Sequence, residues 1–380
     1  MAPRIAIIGA GIGGLTAAAA LVSAGTPCEV FDQRSHLTEV GAGLQLAPNA
    51  VRLAHRLGMQ PTLLARAVPI EAIEIRSWGG RPIARTALGG ASEALFGTPY
   101  YTICRAHLQE GLLDLASPAR IRLGHRLRRI VHADDGVLLE FHNGASHVAD
   151  LVVGADGIHS TVREQLSGDA PVHSGLGVFR GLVPMARLPS RAREPLVRVW
   201  LGSGRHFVCY PVSSGDLMSF AGIVPWHDPT SRASACHPAE LVGAFDGWHA
   251  PVCAVTEAAD MVHRWVLRDR DVLARWTADR LTVLGDAAHA MLPFIAQGAN
   301  QAIEDAVALA SCVADASRDQ VPDRIARYAA RRAPRTAAVQ RESRHLADAM
   351  HLPDGALQRV RDHEMNRYSG LEQRSWIYGR

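Results

Sequence analysis

The 380-residue sequence contains no lysine: all 40 of its basic residues are arginine. Every chemistry that needs a lysine amine is thereby excluded, including Schiff-base and pyridoxal phosphate catalysis and the Walker A phosphate loop. Cysteine is scarce too. Cys28, Cys104, Cys209, Cys236, Cys253 and Cys312 are scattered without CxxC spacing, so the expectation is free, mostly buried thiols and neither a disulfide framework nor a metal site. No apolar run reaches the roughly 18 residues of a membrane-spanning helix. Met1–Arg4 lead directly into a strand-like run rather than a signal peptide, so a cytoplasmic location without a membrane partner is expected. Charge of one sign is not in surplus either. Forty Lys plus Arg against 37 Asp plus Glu leaves +3, too little to argue for nucleic acid. With 48% hydrophobic and 20% charged residues, what remains is an ordinary globular chain long enough for two or three domains.

The chain opens as strand, glycine turn and helix: Arg4–Ile8, then Gly9-Ala10-Gly11-Ile12-Gly13-Gly14, then an alanine-rich stretch ending at Gly25. A second apolar run, Cys28 to Phe31, ends in Asp32 and completes a βαβ unit, the start of a parallel, doubly wound sheet. Short alternating segments at 121–123, 127–132, 137–141 and 148–153, separated by turns such as Asp134-Asp135-Gly136 and Asn143-Gly144, predict hairpins. The runs 196–201, 206–212 and 217–224 predict a separate antiparallel sheet. After the buried-strand run 281–284 the chain turns helical over 297–316, 323–350 and 355–375. The expected fold class is α/β: a Rossmann-like nucleotide domain discontinuous in sequence (1–173 and 271–345), a β-rich substrate domain (174–270) and a helical C-terminal tail (346–380).

In the first motif Gly9 allows the tight turn, Gly11 lets the backbone approach a pyrophosphate and Gly14 packs the helix on the strand, while the helix N-terminus offers free N–H groups to phosphate. Asp32, 23 residues past Gly9, suits a ribose hydroxyl and repels a 2′-phosphate. A second segment, Gly154-Ala155-Asp156-Gly157-Ile158-His159-Ser160, follows a strand directly. A third, Leu284-Gly285-Asp286-Ala287-Ala288-His289, continues through Pro293, Gln297-Gly298-Ala299-Asn300 and Glu304-Asp305-Ala306. It combines an acid at a strand end with a helix start able to hold a polar ring edge.

Together these segments resemble the flavoprotein aromatic hydroxylases of the p-hydroxybenzoate hydroxylase type, over nearly the whole chain. The likeness is strongest to the 6-hydroxynicotinate, 3-hydroxybenzoate and salicylate hydroxylase branches, through Gly41-Ala42-Gly43-Leu44-Gln45-Leu46-Ala47-Pro48-Asn49, Arg105, the two later motifs and the tail Trp376-Ile377-Tyr378-Gly379. The resemblance implies an enzyme that binds FAD, takes NADH or NADPH and O2 as co-substrates, and hydroxylates a small phenolic or hydroxy-heteroaromatic acid through a flavin hydroperoxide, as a monomer or homodimer. By position it assigns FAD contacts to Gly9, Gly11, Gly14, Asp32, Arg105, Asp156, Gly157, Asp286, Pro293, Gly298, Ala299 and Asn300. Substrate contacts fall on Gln45, His206, Tyr210, Pro293 and Phe294, with Gln45, His206 and Tyr210 as the catalytic candidates. His206 and Tyr210 lie four residues apart on a predicted strand with Val208 between them, and so share one face. Gln45 and Phe294 stand where the 6-hydroxynicotinate branch has histidines, and Pro293 where the hydroxybenzoate branch has glutamine. Arg180 is a candidate for a substrate carboxylate, with a surface salt bridge as its more ordinary use. His159 and His289 are read as structural. Two alternatives stay open: the same flavin chemistry hydroxylating or epoxidising a larger, natural-product-like substrate, and a non-catalytic flavin-binding module.

Overall fold

A computed structural model describes residues 1–37, 43–133, 136–230 and 233–379. Gly41 and Ala42 of the quoted segment, and Asp134 and Asp135 of the expected turn, lie outside the described residues. A six-stranded sheet runs in the order Thr277–Ala278, Leu281–Val283, Leu151–Gly154, Ile5–Ile8, Cys28–Phe31, Arg120–Arg122. All its pairs are parallel except the first. Ile5–Ile8 and Leu151–Gly154 are buried at every position, as strands covered on both faces must be. This is the Rossmann-like half, and its strands do come from distant parts of the chain.

The hairpin expectation for 121–153 holds only in part. Leu127–Ala133, Gly136–Phe141 and Ser146–Ala149 form a three-stranded antiparallel sheet. Arg120–Arg122 and Leu151–Gly154 instead join the parallel sheet on either side of the first two strands. Short alternating runs look alike whichever sheet takes them, and only long-range pairing separates the two.

The second large sheet has eight strands, in the order Ser234–Cys236, Val262–Asp269, Val172–Pro184, Leu217–Pro225, Arg205–Val212, Leu196–Gly202, Ala72–Ser77, Pro82–Ala87. The last two come from well before residue 174, so the sheet draws a hairpin out of the first third of the chain. Leu196–Gly202 pairs parallel to Ala72–Ser77, which makes the sheet mixed rather than wholly antiparallel. One face buries an aromatic cluster that includes Trp200, Phe207, Phe220 and Phe245. The opposite face looks toward the nucleotide half. The long helix Val321–Met350 packs on the helix Gly298–Val313 and on Thr277–Ala278, the helix Ala356–Arg367 packs on the outer strand Pro82–Ala87, and Ser375–Tyr378 closes the tail.

Candidate active site

The turn after the first strand separates the roles of its glycines. Gly9 has φ +110, and a Cβ there would lie 2.3 Å from the Ala155 carbonyl oxygen. A Cβ on Gly14 would lie 1.9 Å from the Gly9 carbonyl oxygen. Both therefore keep the turn packed against its neighbours. Gly11 is different, since a Cβ there meets nothing within 4 Å. Its bare backbone faces open space at the start of the helix Ile12–Ser23, which has no side-chain cap and so keeps amide donors for an anion. The helix Gly298–Val313 likewise starts without a side-chain cap.

Both helix starts border one cavity of about 310 Å³, whose wall includes Gly11, Gln45, Arg105, Gly157, Asp286, Pro293, Gly298 and Ala299. Uncapped amides at two helix ends, a guanidinium and an exposed carboxylate at Asp286 suit an anionic pyrophosphate, a hydroxylated chain and a flat polar ring. The residues present thus fit FAD.

Three expected FAD contacts are engaged inside the protein. Asp156 is not in the cavity wall: its carboxylate accepts from Ser160 Oγ at 2.5 Å and from Thr161 N at 2.8 Å, holding the start of the turn Thr161–Glu164. Asn300 is fully buried. It donates to the carbonyls of Gln45 and Ala296 at 3.0 and 2.7 Å and accepts from Ala47 N at 2.8 Å, which staples the strand Gly43–Leu46 to the helix. Asp32 accepts Ala10 N at 2.7 Å and three bonds from Arg34 at 2.8–3.1 Å. All four of its acceptor sites are filled, so a ribose hydroxyl has to displace Arg34. Burial works to raise Asp32's pKa, but the bonds from Arg34 and Ala10 outweigh it and hold the carboxyl below its ordinary range. An acidic side chain at the right spacing cannot reveal that its own neighbours occupy it.

The cavity roof is the open face of the eight-stranded sheet. On Arg205–Val212, His206, Val208 and Tyr210 all line it, as their two-residue spacing predicts. Register extends the pattern across the sheet: Val208 pairs with Ala221 and Ala221 with Arg180, while Tyr210 pairs with Ser219. Gly43 allows its strand to pass closely under this roof, since a Cβ there would meet Tyr210 at 2.5 Å and Ser219 Oγ at 2.6 Å. A second cavity of about 450 Å³ shares Gln45, His206, Val208, Pro293 and Ala296 with the first and continues between the sheet and the C-terminal helices. Phe294 lines this second cavity. Ala296 turns the chain there at φ +51, a left-handed conformation that costs a non-glycine residue roughly 1 kcal/mol or more.

Electrostatically, the roof is a set of buried groups with few compensating partners. Burial raises the Tyr210 phenol, while the positive charge of Arg180 and a hydrogen bond with Ser219 work to lower it. Burial, helped by His351, holds the His206 imidazole well below its ordinary value, so it is neutral at pH 7. Arg180 lines the cavity and stacks on Trp265 at 5.2 Å; its Nε is buried with no hydrogen-bond partner among the described residues. The surface salt bridge that is its more ordinary use does not form among the described residues. Gln45 accepts from the Tyr100 hydroxyl at 2.7 Å. His206 Nδ1 lies 2.8 Å from His351 Nε2. Tyr100 and His351 were absent from the sequence-based site, because nothing local marks them: one precedes a strand and the other ends a helix.

His289 lies outside the cavity wall, buried and 2.5 Å from Asp305. Arg332 bonds the same aspartate at 2.7 Å and reaches Glu304, which Arg335 also bonds at 2.8 Å. No helix among the described residues is long and apolar enough to cross a membrane.

Residues 3–343 match the family described as FAD binding domain. The chain is 45% identical to the 3-amino-4-hydroxybenzoate 2-monooxygenase PtmB3 of Streptomyces platensis, covering 99% of this chain and 96% of that one. It is 34% identical to the 6-hydroxynicotinate 3-monooxygenase of Bordetella bronchiseptica, covering 90% of each. Among solved structures, Klebsiella pneumoniae HpxO complexed with FAD and uric acid superposes with a TM-score of 0.85 at 29% identity, covering 95% of this chain and 92% of that one.

Proposed function

The chain belongs to the FAD binding domain family and is an FAD-dependent aromatic monooxygenase, and from that premise we propose that it hydroxylates an aminohydroxybenzoate on the ring carbon between the amine and the carboxylate. One observation carries the carboxylate class of the substrate: Arg180 in the cavity wall, whose buried Nε has no hydrogen-bond partner among the described residues, a cation that needs an anion once the chamber is closed to water. The 45% identity to an enzyme named for 3-amino-4-hydroxybenzoate, against 34% to one named for 6-hydroxynicotinate, supports the same choice. So does the presence of Gln45 and Phe294 rather than histidines.

Bound FAD, reduced by NADH or NADPH, supplies the activation of O2. The chain's own residues do the rest. The amides at Ile12–Ser23 and Gly298–Val313, with Arg105 and Asp286, hold the cofactor. Arg180 takes the substrate carboxylate in a two-pronged bond and orients the ring. Carbon 2 lies ortho to the amine and meta to the hydroxyl, so the amine lone pair is what makes it electron-rich. Near pH 7 that arylamine is unprotonated, and an uncharged His206 is free to accept a proton. His206 then accepts the proton that the ring sheds as it regains aromaticity, while Tyr210 and Gln45 bond the polar ring substituents. Val208, Ala221, Ile223 and Leu292 form the apolar part of the wall and limit water near the reacting atoms.

The test is product analysis with the FAD-loaded protein, either nicotinamide donor, and a panel of 3-amino-4-hydroxybenzoate, 3-hydroxybenzoate and 6-hydroxynicotinate. One added oxygen at carbon 2 of the aminohydroxybenzoate is expected. Hydroxylation of another panel member alone overturns the substrate. Tyr210→Phe and His206→Ala should retain FAD and yield less product per NADH; wild-type yield in both refutes their roles. The second cavity favours one other reading, a larger aromatic substrate reaching toward the tail. Turnover of extended aromatics but not of the simple acids would select it.

A further inference from the structure

We infer that His351 is a positioning residue for His206, fixing its tautomer and carrying its proton away from the chamber; this rests on the reading of His206 as the proton acceptor. The two imidazoles come from elements 145 positions apart in sequence. They meet with Nδ1 of His206 2.8 Å from Nε2 of His351 and with ring centroids 5.0 Å apart at 25°. Phe294 flanks both rings, at 5.3 and 5.5 Å. The backbone reinforces the contact: Gly204 N donates to the His351 carbonyl at 3.0 Å, tying the turn before the strand to the end of the long helix.

Two facing imidazole nitrogens at this distance need one proton between them, so one donates and the other accepts. With Nδ1 of His206 committed to His351, Nε2 is the nitrogen left to meet the substrate. His206 is 4% exposed, whereas His351 is only partly buried, so the pair leads from the chamber wall toward solvent. Among charged groups, Asp348 on the long helix favours protonation of His351. Arg361, on the helix Ala356–Arg367 and bonded to Asp362, opposes it. Burial outweighs both and sets His351 at about 4. On the other side, the nearby His351 joins burial in opposing protonation of His206. Both rings are therefore neutral near pH 7, and the pair can accept one proton and pass it outward by exchanging roles.

The experiment uses the FAD-loaded full chain and compares His351→Gln, His351→Ala and His206→Ala by product formed per NADH oxidised across pH. Glutamine can still bridge by hydrogen bonding but cannot exchange a proton, so it separates a relay from a brace. Both His351 variants should keep their FAD and lose roughly ten-fold in product per NADH. The acid limb of the yield profile should move to higher pH, because His206 loses the neighbour that opposes its protonation. Added imidazole should restore yield in His351→Ala. Wild-type yield and an unmoved profile in His351→Gln overturn the inference even if His206→Ala is impaired. Wild-type yield in His206→Ala overturns the underlying reading instead.

Discussion

Arg332 and Arg180 are both guanidinium groups in the interior, and they differ in the company they keep. Arg332 lies under the helix Gly298–Val313, bonded to Asp305 at 2.7 Å and to Glu304, with Gln301 Oε1 accepting at 2.7 Å. Arg180 has an indole face and no acid among the described residues. Charge in a low-dielectric interior is tolerated only when something answers it. Where the protein supplies the answer, the charge is scaffold. Where it does not, as at Arg180, the fold carries the desolvation cost, and that is why we propose a ligand carboxylate as its partner.

Removing the two arginines should have opposite consequences. Arg332→Met takes one cationic partner from both buried carboxylates, leaving Asp305 to His289 and Glu304 to Arg335, and we expect a loss of about 3 kcal/mol in urea unfolding. A smaller change than about 1 kcal/mol breaks the contrast. Arg180→Met removes an uncompensated charge, so stability should hold or rise while kcat/KM for the carboxylate substrate falls about 100-fold, roughly 2.7 kcal/mol. On the carboxamide analogue the variant and the wild type should converge. An equal loss on both analogues assigns Arg180 to the scaffold after all.

The glycines offer a gentler version of the same contrast. Gly11→Ala adds a methyl group in open space and should leave folding intact while weakening FAD binding about ten-fold, measured by flavin fluorescence titration. Gly14→Ala drives a Cβ into the Gly9 carbonyl and should reduce soluble yield instead. The smallest effect is in pH. A histidine whose folded-state value is depressed contributes stability above its unfolded value, near 6.5, and loses it as pH falls toward the folded value. His351 thus costs stability between about 6.5 and about 4, less than about 1 kcal/mol at pH 6. Asp305, set at about 2 where burial is outweighed by His289 and Arg332, contributes stability above 3.8 and loses it only as pH falls through about 2. His351→Gln should shrink the upper window, to which His206 also contributes, and leave the lower one unchanged in acid unfolding curves.

Much of this molecule is legible in its sequence, for local reasons. Glycine spacing after a β-branched run dictates the first turn, and alternation along 206–210 dictates that His206, Val208 and Tyr210 share a face. The hairpin Ala72–Ala87 was not legible as part of the second sheet, because its pairing partner lies some 120 residues later. Nor does spacing show that Asp32, Asp156 and Asn300 have hydrogen-bond partners inside the protein.

The sequence by itself determined the order of the βαβ start and the face that the central strand turns inward, since these follow from backbone stereochemistry and short periods, while the flavin came from its resemblance to a known family. Only the tertiary structure decided which charges are answered and which are left waiting, and which histidine stands behind His206. Those outcomes depend on distances between residues far apart along the chain. Burial strengthens such interactions, and burial exists only once the two halves and the tail have packed together.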